Sequence, residues 1–491
     1  MEHPESQRAI DRHPVGQSPR QTGPRAGPMP SKIFFGWYIV AATVALYVLS
    51  GGVIYYGFPV FFNAILAEYP WSKAAAAVPF AIVQLEGAGL SPLWGLLVDR
   101  FGTRAPMLIG TVLMAVGYLI LSQLDSLFAL YLGFGLAGLG FGVYWTAPIA
   151  AICNWFRARR TLAMGVAMSG FGLSGCMAPI LDWGIEGYGW RAVFVAAAIS
   201  TVALGLPLCL LLRHRPELHG HTVDGDPAPV EGEPGSRPDN EPAGPSFTGR
   251  EALRTRAFWL LAVLFTLSWI AFTGIVPHMA TYLADVGIDR KFAALGIMGI
   301  TIATVIGRIG GGALGDRLDK RHVLVGAFLV LSVGVLLFAT ISQGWQLLLF
   351  LVVAGPSAGA LIPIVPALIS DFFGTRSFAL ILGLVYAPAS FVWFGVPSAA
   401  GWASDHFGTY QVAWLALAGL TFAAVPLGFM LRPPPAPERD GSSRDPRDPT
   451  GSPRRSVPAG ARLLGQRRRR CAAASSRTAR ARSRGSTRAD P

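Results

Sequence analysis

Charged residues are scarce in this chain. Asp, Glu, Lys and Arg make up 14% of its 491 residues, while 52% are hydrophobic and the mean hydropathy is +0.45. So little charge excludes an ordinary water-soluble globular domain, in which about a quarter of residues are charged. Cysteine is scarcer still: Cys153, Cys176, Cys209 and Cys471 stand far apart, three of them in or beside apolar runs. That spacing suits neither a disulfide framework nor a metal site, and neither is expected. No Gly-rich phosphate loop followed by Lys-Ser or Lys-Thr occurs, so the chain is not an ATP-driven pump by itself, and no His/Cys cluster suggests a metal enzyme. Gly170, Gly172 and Gly175 imitate a dinucleotide loop in glycine count alone, because they lie inside an apolar run. Neither catalysis nor a cofactor is expected. An apolar h-region is also missing from the polar, Pro-rich first thirty residues, so no cleaved signal peptide is expected.

What the chain has in abundance is apolar runs long enough to cross a bilayer. They fall at about 34–62, 74–98, 105–123, 127–153, 161–183 and 190–212, and resume at about 257–284, 292–315, 322–342, 345–370, 377–403 and 409–431. The expected fold class is an all-α membrane protein with twelve transmembrane helices in two six-helix domains. The first domain covers residues 33–213 and the second 256–432, with a polar linker at 214–255, a disordered N-terminus at 1–32 and a disordered tail at 433–491. The net charge of +13 first suggests a nucleic-acid binder. Most of it comes from the tail, which holds fifteen arginines and five acidic residues, is rich in Pro and Ser, and has no apolar periodicity with which to build a core. Its run Arg467 to Arg470 suits anionic lipid or a solvated tail, and no nucleic-acid partner is expected. Arg and Lys elsewhere gather on alternate loops, which by the positive-inside rule puts both termini and the linker in the cytoplasm.

The two halves repeat each other. Gly95-Leu96-Leu97-Val98-Asp99-Arg100-Phe101-Gly102-Thr103-Arg104 closes the second run, and Gly312-Ala313-Leu314-Gly315-Asp316-Arg317-Leu318-Asp319-Lys320-Arg321 closes the eighth. These segments resemble the loop signature of the major facilitator superfamily, and the resemblance spans residues 33 to 432. It implies two six-helix domains related by a pseudo-two-fold axis along the membrane normal, rocking around a midplane site. It also implies that Asp99, Arg100, Arg104, Asp316 and Arg317 form a cytoplasmic gate, pairing across that face in one end state without meeting substrate. The glycine-rich fourth and fifth runs flank Trp155-Phe156-Arg157-Ala158-Arg159-Arg160, and the first run ends Tyr56-Gly57-Phe58-Pro59. Here the chain is similar to bacterial monocarboxylate porters and their oxalate/formate antiporter relatives. Two departures stand out. Animal monocarboxylate transporters carry a lysine and an acid where this chain has Val60 and Thr304, so proton coupling by that pair does not carry over. Oxalate exchangers carry a lysine where this chain has Ala389, which favours a monoanion.

Arg308 is the most informative residue. It lies eight residues before Asp316, roughly 12 Å into a hydrocarbon core of about 30 Å. Insertion there costs about 2.5–3.5 kcal/mol, so such an arginine faces an interior or cavity and meets an anion. In the resembled group this position holds the substrate-binding arginine; the alternative is an internal ion pair within the second domain. The resemblance adds Tyr144 as a hydrogen-bond donor to a carboxylate, against a packing role; Tyr56 and Tyr386 suit the lining of an amphipathic cavity, although aromatics are common in any span. Glu86 is a mid-membrane carboxyl suited to proton exchange or, equally, to neutral packing between runs two and four. His278, in the outer third of run seven, suits gating, proton transfer or a bond to a backbone carbonyl. The resemblance implies a monomeric secondary transporter of a small organic monocarboxylate, proton-coupled, in a bacterial inner membrane among membrane lipid. A carboxylate exchanger and a transporter-like receptor for an organic acid are the alternatives.

Overall fold

A computed structural model of the protein describes residues 34–225, 246–288 and 290–437, and no strand occurs among them. The expected disordered N-terminus, the tail with Arg467 to Arg470 and Cys471, and most of the polar linker lie outside the described residues. Among the described residues ten helices are long and apolar enough to span a membrane, and a pair bent by 45° makes an eleventh span. The 52-residue stretch Arg160–Leu211 is far too long for one crossing, at roughly 78 Å against a core of about 30 Å. It turns back at Gly189, whose φ of 80° and ψ of 154° are open only to glycine. Two crossings result, and the spans number twelve.

We label them α1 (Phe35–Glu68), α2 (Lys73–Gly89 with Ser91–Phe101), α3 (Arg104–Ser122), α4 (Leu127–Trp155), α5 (160–188) and α6 (190–211). The second set is α7 (Arg256–Asp285), α8 (Arg290–Arg317), α9 (Lys320–Ala339), α10 (Gly344–Phe373), α11 (Phe378–Phe407) and α12 (Gln411–Phe429). Local chemistry marks their ends. Ser126 and Thr255 cap α4 and α7 by accepting backbone N–H bonds from Ala129 and Phe258, and the Asp319 carboxylate accepts one from Arg321 at the start of α9. Large apolar side chains such as Phe128, Val352 and Phe391 stand on the outside, as a bundle solvated by lipid requires.

Two interfaces join the halves: α2 runs along α11, and α8 runs along α5. Exchanging the two six-helix sets converts one interface into the other, which is the symmetry announced by the repeated Gly-x-x-x-Asp-Arg. Close approach depends on glycine at both. A Cβ on Gly95 would strike the Ala379 carbonyl, and one on Gly312 would lie 2.7 Å from the carbonyl oxygen of Thr161.

The linker is not wholly detached from the bundle. Residues 212–224 strap across the end that carries the basic loops, hereafter the basic end. The carbonyls of Leu212, Arg213 and His214 accept bonds from Thr103, Trp155 and Asn154. Asp224 closes the strap, accepting the N–H groups of Arg157 and Ala158 at 3.0 and 2.8 Å from a left-handed backbone with φ 58°. Burial, with the charge of Arg215 beside it, pushes the His214 imidazole down to about 4. On the far side of the linker, Phe247 donates its N–H to the Phe373 carbonyl, and a Thr248–Glu251 capping box starts a short helix.

Candidate functional site

Helix packing decides where Arg308 points. Gly165 on α5 lets that helix lie against the Arg308 backbone, while Gly359 on α10 lets α10 lie against the Thr304 carbonyl on the other side. Squeezed between them, the guanidinium passes into the other half: its Nη1 donates to the Met168 carbonyl of α5 at 2.6 Å. The side chain is 4% exposed, no acid pairs with it among the described residues, and its Nε is buried without a protein acceptor. A buried cation with an unused donor is costly unless an anion meets it. The pseudo-symmetric counterpart is informative: eight residues before Asp99 stands Ser91, whose Oγ simply donates to the Gly383 carbonyl at 2.8 Å. The cation is thus a departure from the repeat, made in one half alone.

Arg308 closes a tight crevice between the halves. The first half contributes Tyr47 from α1, Trp145 from α4, and Met168 and Phe171 from α5; the second adds Trp269 from α7 and Ile362 from α10. The Tyr47 hydroxyl and the Trp269 indole N–H are both buried and make no hydrogen bond among the described residues. The sequence reading missed both residues. One of twelve tyrosines and one of thirteen tryptophans carry no signal until their neighbours are known.

The expected site residues divide. Tyr56 packs its ring 5.7 Å from Phe171, and the charge of Arg308 acts on its phenol and on that of Tyr47. Tyr386 stacks on Phe265 at 4.3 Å. Tyr144 is not brought to Arg308. Its hydroxyl shares a 2.7 Å hydrogen bond with Thr111 and lies 4.0 Å from the Cys209 sulfur, locking α3, α4 and α6 together inside the first half. This corrects the carboxylate-donor expectation: a 29-residue helix turns some of its face inward on its own neighbours, and Tyr144 is on that face. Glu86 is half-buried against Gly138 of α4, its Oε2 lacking a hydrogen-bond partner and its carboxylate forming no ion pair among the described residues. His278 donates Nε2–H to the Pro397 carbonyl at 2.9 Å, because a carbonyl can only accept, and its ring lies 5.1 Å from Tyr410.

At the basic end the two signature aspartates act alike. Asp99 accepts the N–H groups of Ala379 and Leu380 at 3.2 and 2.9 Å, and Asp316 accepts those of Thr161 and Leu162, both at 2.9 Å. Each carboxylate caps the start of a long helix in the opposite half, where free N–H groups and the helix dipole both attract an anion. The signature arginines do not pair across the face as expected. Among the described residues Arg100, Arg104 and Arg317 form no ion pair, and Arg100 lies over its neighbour Phe101. The ionic contact between the halves is Asp371 at the end of α10, which bridges Arg160 at 3.2 Å and Lys320 at 2.8 Å. Asp371 was not anticipated, since an acid at the end of an apolar run reads as an ordinary solvated terminus. The 157–162 turn is therefore gripped by three acids from separate elements: Asp224, Asp316 and Asp371.

Comparison with known proteins agrees with this architecture. The family model of the Major Facilitator Superfamily matches residues 34–311 and 267–475. The chain is similar to monocarboxylate transporter 13 of Bos taurus, 28% identical over 389 residues and covering 78% of this chain and 85% of that one. It is also similar to the oxalate:formate antiporter of Oxalobacter formigenes, 24% identical over 425 residues with coverages of 83% and 95%. Among solved structures, the E. coli fucose:proton symporter matches with a TM-score of 0.61 at 15% identity, covering 81% of this chain and 98% of that one. The human organic anion transporter MFSD10 matches with a TM-score of 0.62 at 14% identity, over 82% and 100%. At these identities the solved structures speak for the fold.

Proposed function

We propose that this chain, which belongs to the Major Facilitator Superfamily, is a secondary transporter that carries a small organic monocarboxylate, with Arg308 as its counter-ion. It is a transporter and not an enzyme. The observation that carries the reading is the buried guanidinium at the junction of the halves, whose Nε has no partner among the described residues. Relatives named as monocarboxylate transporters and as an oxalate:formate antiporter support a carboxylate cargo. Ala389 supplies no second cation in α11, which favours a monoanion over the dianion of an exchanger.

The basic end faces the cytoplasm of the inner membrane in this reading, and the two aspartate caps with the Asp371 bridge hold it shut. Alternating access then consists of breaking those contacts as α5 slides on α8 and α2 on α11, surfaces that glycine keeps smooth. One chain suffices, because the crevice is built from its own two halves. A monoanion entering against an inside-negative potential needs a cation with it, and Glu86 is the proton carrier, a membrane carboxyl with no basic partner among the described residues. His278 is bonded to a backbone carbonyl and serves as the secondary candidate.

The test is counterflow in proteoliposomes with a panel of labelled carboxylates. Exchange of a labelled monocarboxylate, lost in Arg308→Ala, supports the reading. Binding without movement of solute would instead make the protein a receptor, and absence of both would overturn the carboxylate assignment.

A further inference from the structure

Three donors line one crevice and none has an acceptor among the described residues: the Tyr47 hydroxyl, the Trp269 indole N–H and the Arg308 Nε. Tyr47 is 1% exposed and Arg308 4%. A buried donor without an acceptor costs about 1–3 kcal/mol, and folded proteins keep few of them, so three in one place call for a ligand that accepts all three. The donors come from α1, α7 and α8, on both halves, so a ligand that satisfies them joins the halves as it binds. A carboxylate has two oxygens and about four lone-pair directions, enough for this set.

The remaining wall defines what the rest of the ligand is. Trp145 packs 4.9 Å from Phe171 and meets Trp269 edge-on at 6.4 Å, so two of the rings belong to the first half and one to the second. Met168 and Ile362 complete an apolar lining. Arg308 is the one charged residue there, and a second carboxylate would be buried with no cation to meet it. Aromatic walls favour a flat apolar body in stacked or edge-to-face contact. In this state the lining side chains meet closely, so the ligand enters as the halves part.

We propose that the substrates are aryl monocarboxylates, whose carboxylate is held jointly by Arg308, Tyr47 and Trp269 and whose ring lies among Trp145, Phe171 and Trp269. This deepens the monocarboxylate reading and rests on it. Neither short aliphatic acids, which leave the aromatic wall unfilled, nor dicarboxylates, which bury an unpaired charge, meet both requirements.

The experiment uses the full-length protein in proteoliposomes at pH 8, with protein-free vesicles subtracted, and measures counterflow and competition by benzoate, acetate and oxalate. Benzoate is expected to exchange and to compete at least tenfold better than acetate, and oxalate not to compete. Tyr47→Phe and Trp269→Phe keep a ring but lose the donor; each is expected to weaken benzoate binding about tenfold or more, without loss of thermal stability. Acetate or oxalate exchanging as well as benzoate overturns the aryl proposal and leaves the carboxylate reading standing. Benzoate bound with wild-type affinity by both variants overturns the donor assignment. If none of the three anions binds or moves, the monocarboxylate function fails, and the proposal with it.

Discussion

Replacing Arg308 by alanine separates binding from stability. In the substrate-free protein the change removes a guanidinium whose insertion costs about 2.5–3.5 kcal/mol. Against that relief stand one hydrogen bond to Met168, worth about 1 kcal/mol net, and the void left by the side chain, about 1–2 kcal/mol. These cancel closely, so Arg308→Ala is expected to insert normally and to melt within a few degrees of wild type. With substrate the sum is different. Truncating one partner of a buried, hydrogen-bonded charge pair costs about 2–5 kcal/mol, which is roughly 30-fold to several thousandfold in affinity. Arg308→Lys keeps the charge but loses Nε and the planar fork, and is expected to recover little. The assay is a pair of measurements on each purified variant: labelled uptake in proteoliposomes, and thermal shift with and without a transported carboxylate. Wild type at a hundred times Kd gains about 2.7 kcal/mol from its ligand, and the alanine variant at the same concentration about 0.9 kcal/mol or less. Wild-type uptake by Arg308→Ala would refute the counter-ion assignment, whereas collapse of the empty variant would show that Arg308 is structural.

Glu86→Gln is expected to abolish accumulation driven by a pH gradient while sparing counterflow; without a proton, about 2.3 kcal/mol per 100 mV opposes the anion and lowers the accumulation ratio roughly fiftyfold, and undiminished accumulation would assign Glu86 to packing. Asp99→Asn combined with Asp316→Asn weakens two helix caps of about 0.3–2 kcal/mol each and is expected to open the basic end, read as a longer distance between spin labels at Arg159 and Arg376; an unchanged distribution would remove the caps from the gate. His214 is held neutral at about 4, below its ordinary value of 6.5, so the folded state releases a proton that the unfolded state binds. Stability from this group is complete above about pH 6.5 and falls by about 3 kcal/mol as the pH drops toward 4, a slope that His214→Gln should flatten in pH-dependent melting. Truncation after Pro437 is expected to leave insertion and transport near wild type, and a well-inserted but inactive truncation would show that the tail contributes.

Much of this protein was legible before any coordinates, and the reason is the bilayer. A hydrocarbon core about 30 Å thick demands some twenty apolar residues per crossing, so the span count follows from run length, and one arginine inside such a run stands out by its cost. The repeated Gly-x-x-x-Asp-Arg likewise announced two related halves, whereas the capping of a helix in the opposite half by each aspartate appeared only in the structure. What could not be read locally was which face meets which partner. Arg308 bonds a carbonyl 140 residues away, and Asp224 grips a turn 66 residues before it. Tyr144 and Tyr47 look alike as tyrosines in apolar runs. Packing alone gives one hydroxyl a partner in Thr111 and leaves the other bare beside Arg308. Whether a donor is spent depends on atoms brought together by tertiary structure, and that is what turned a lone buried cation into a three-donor crevice.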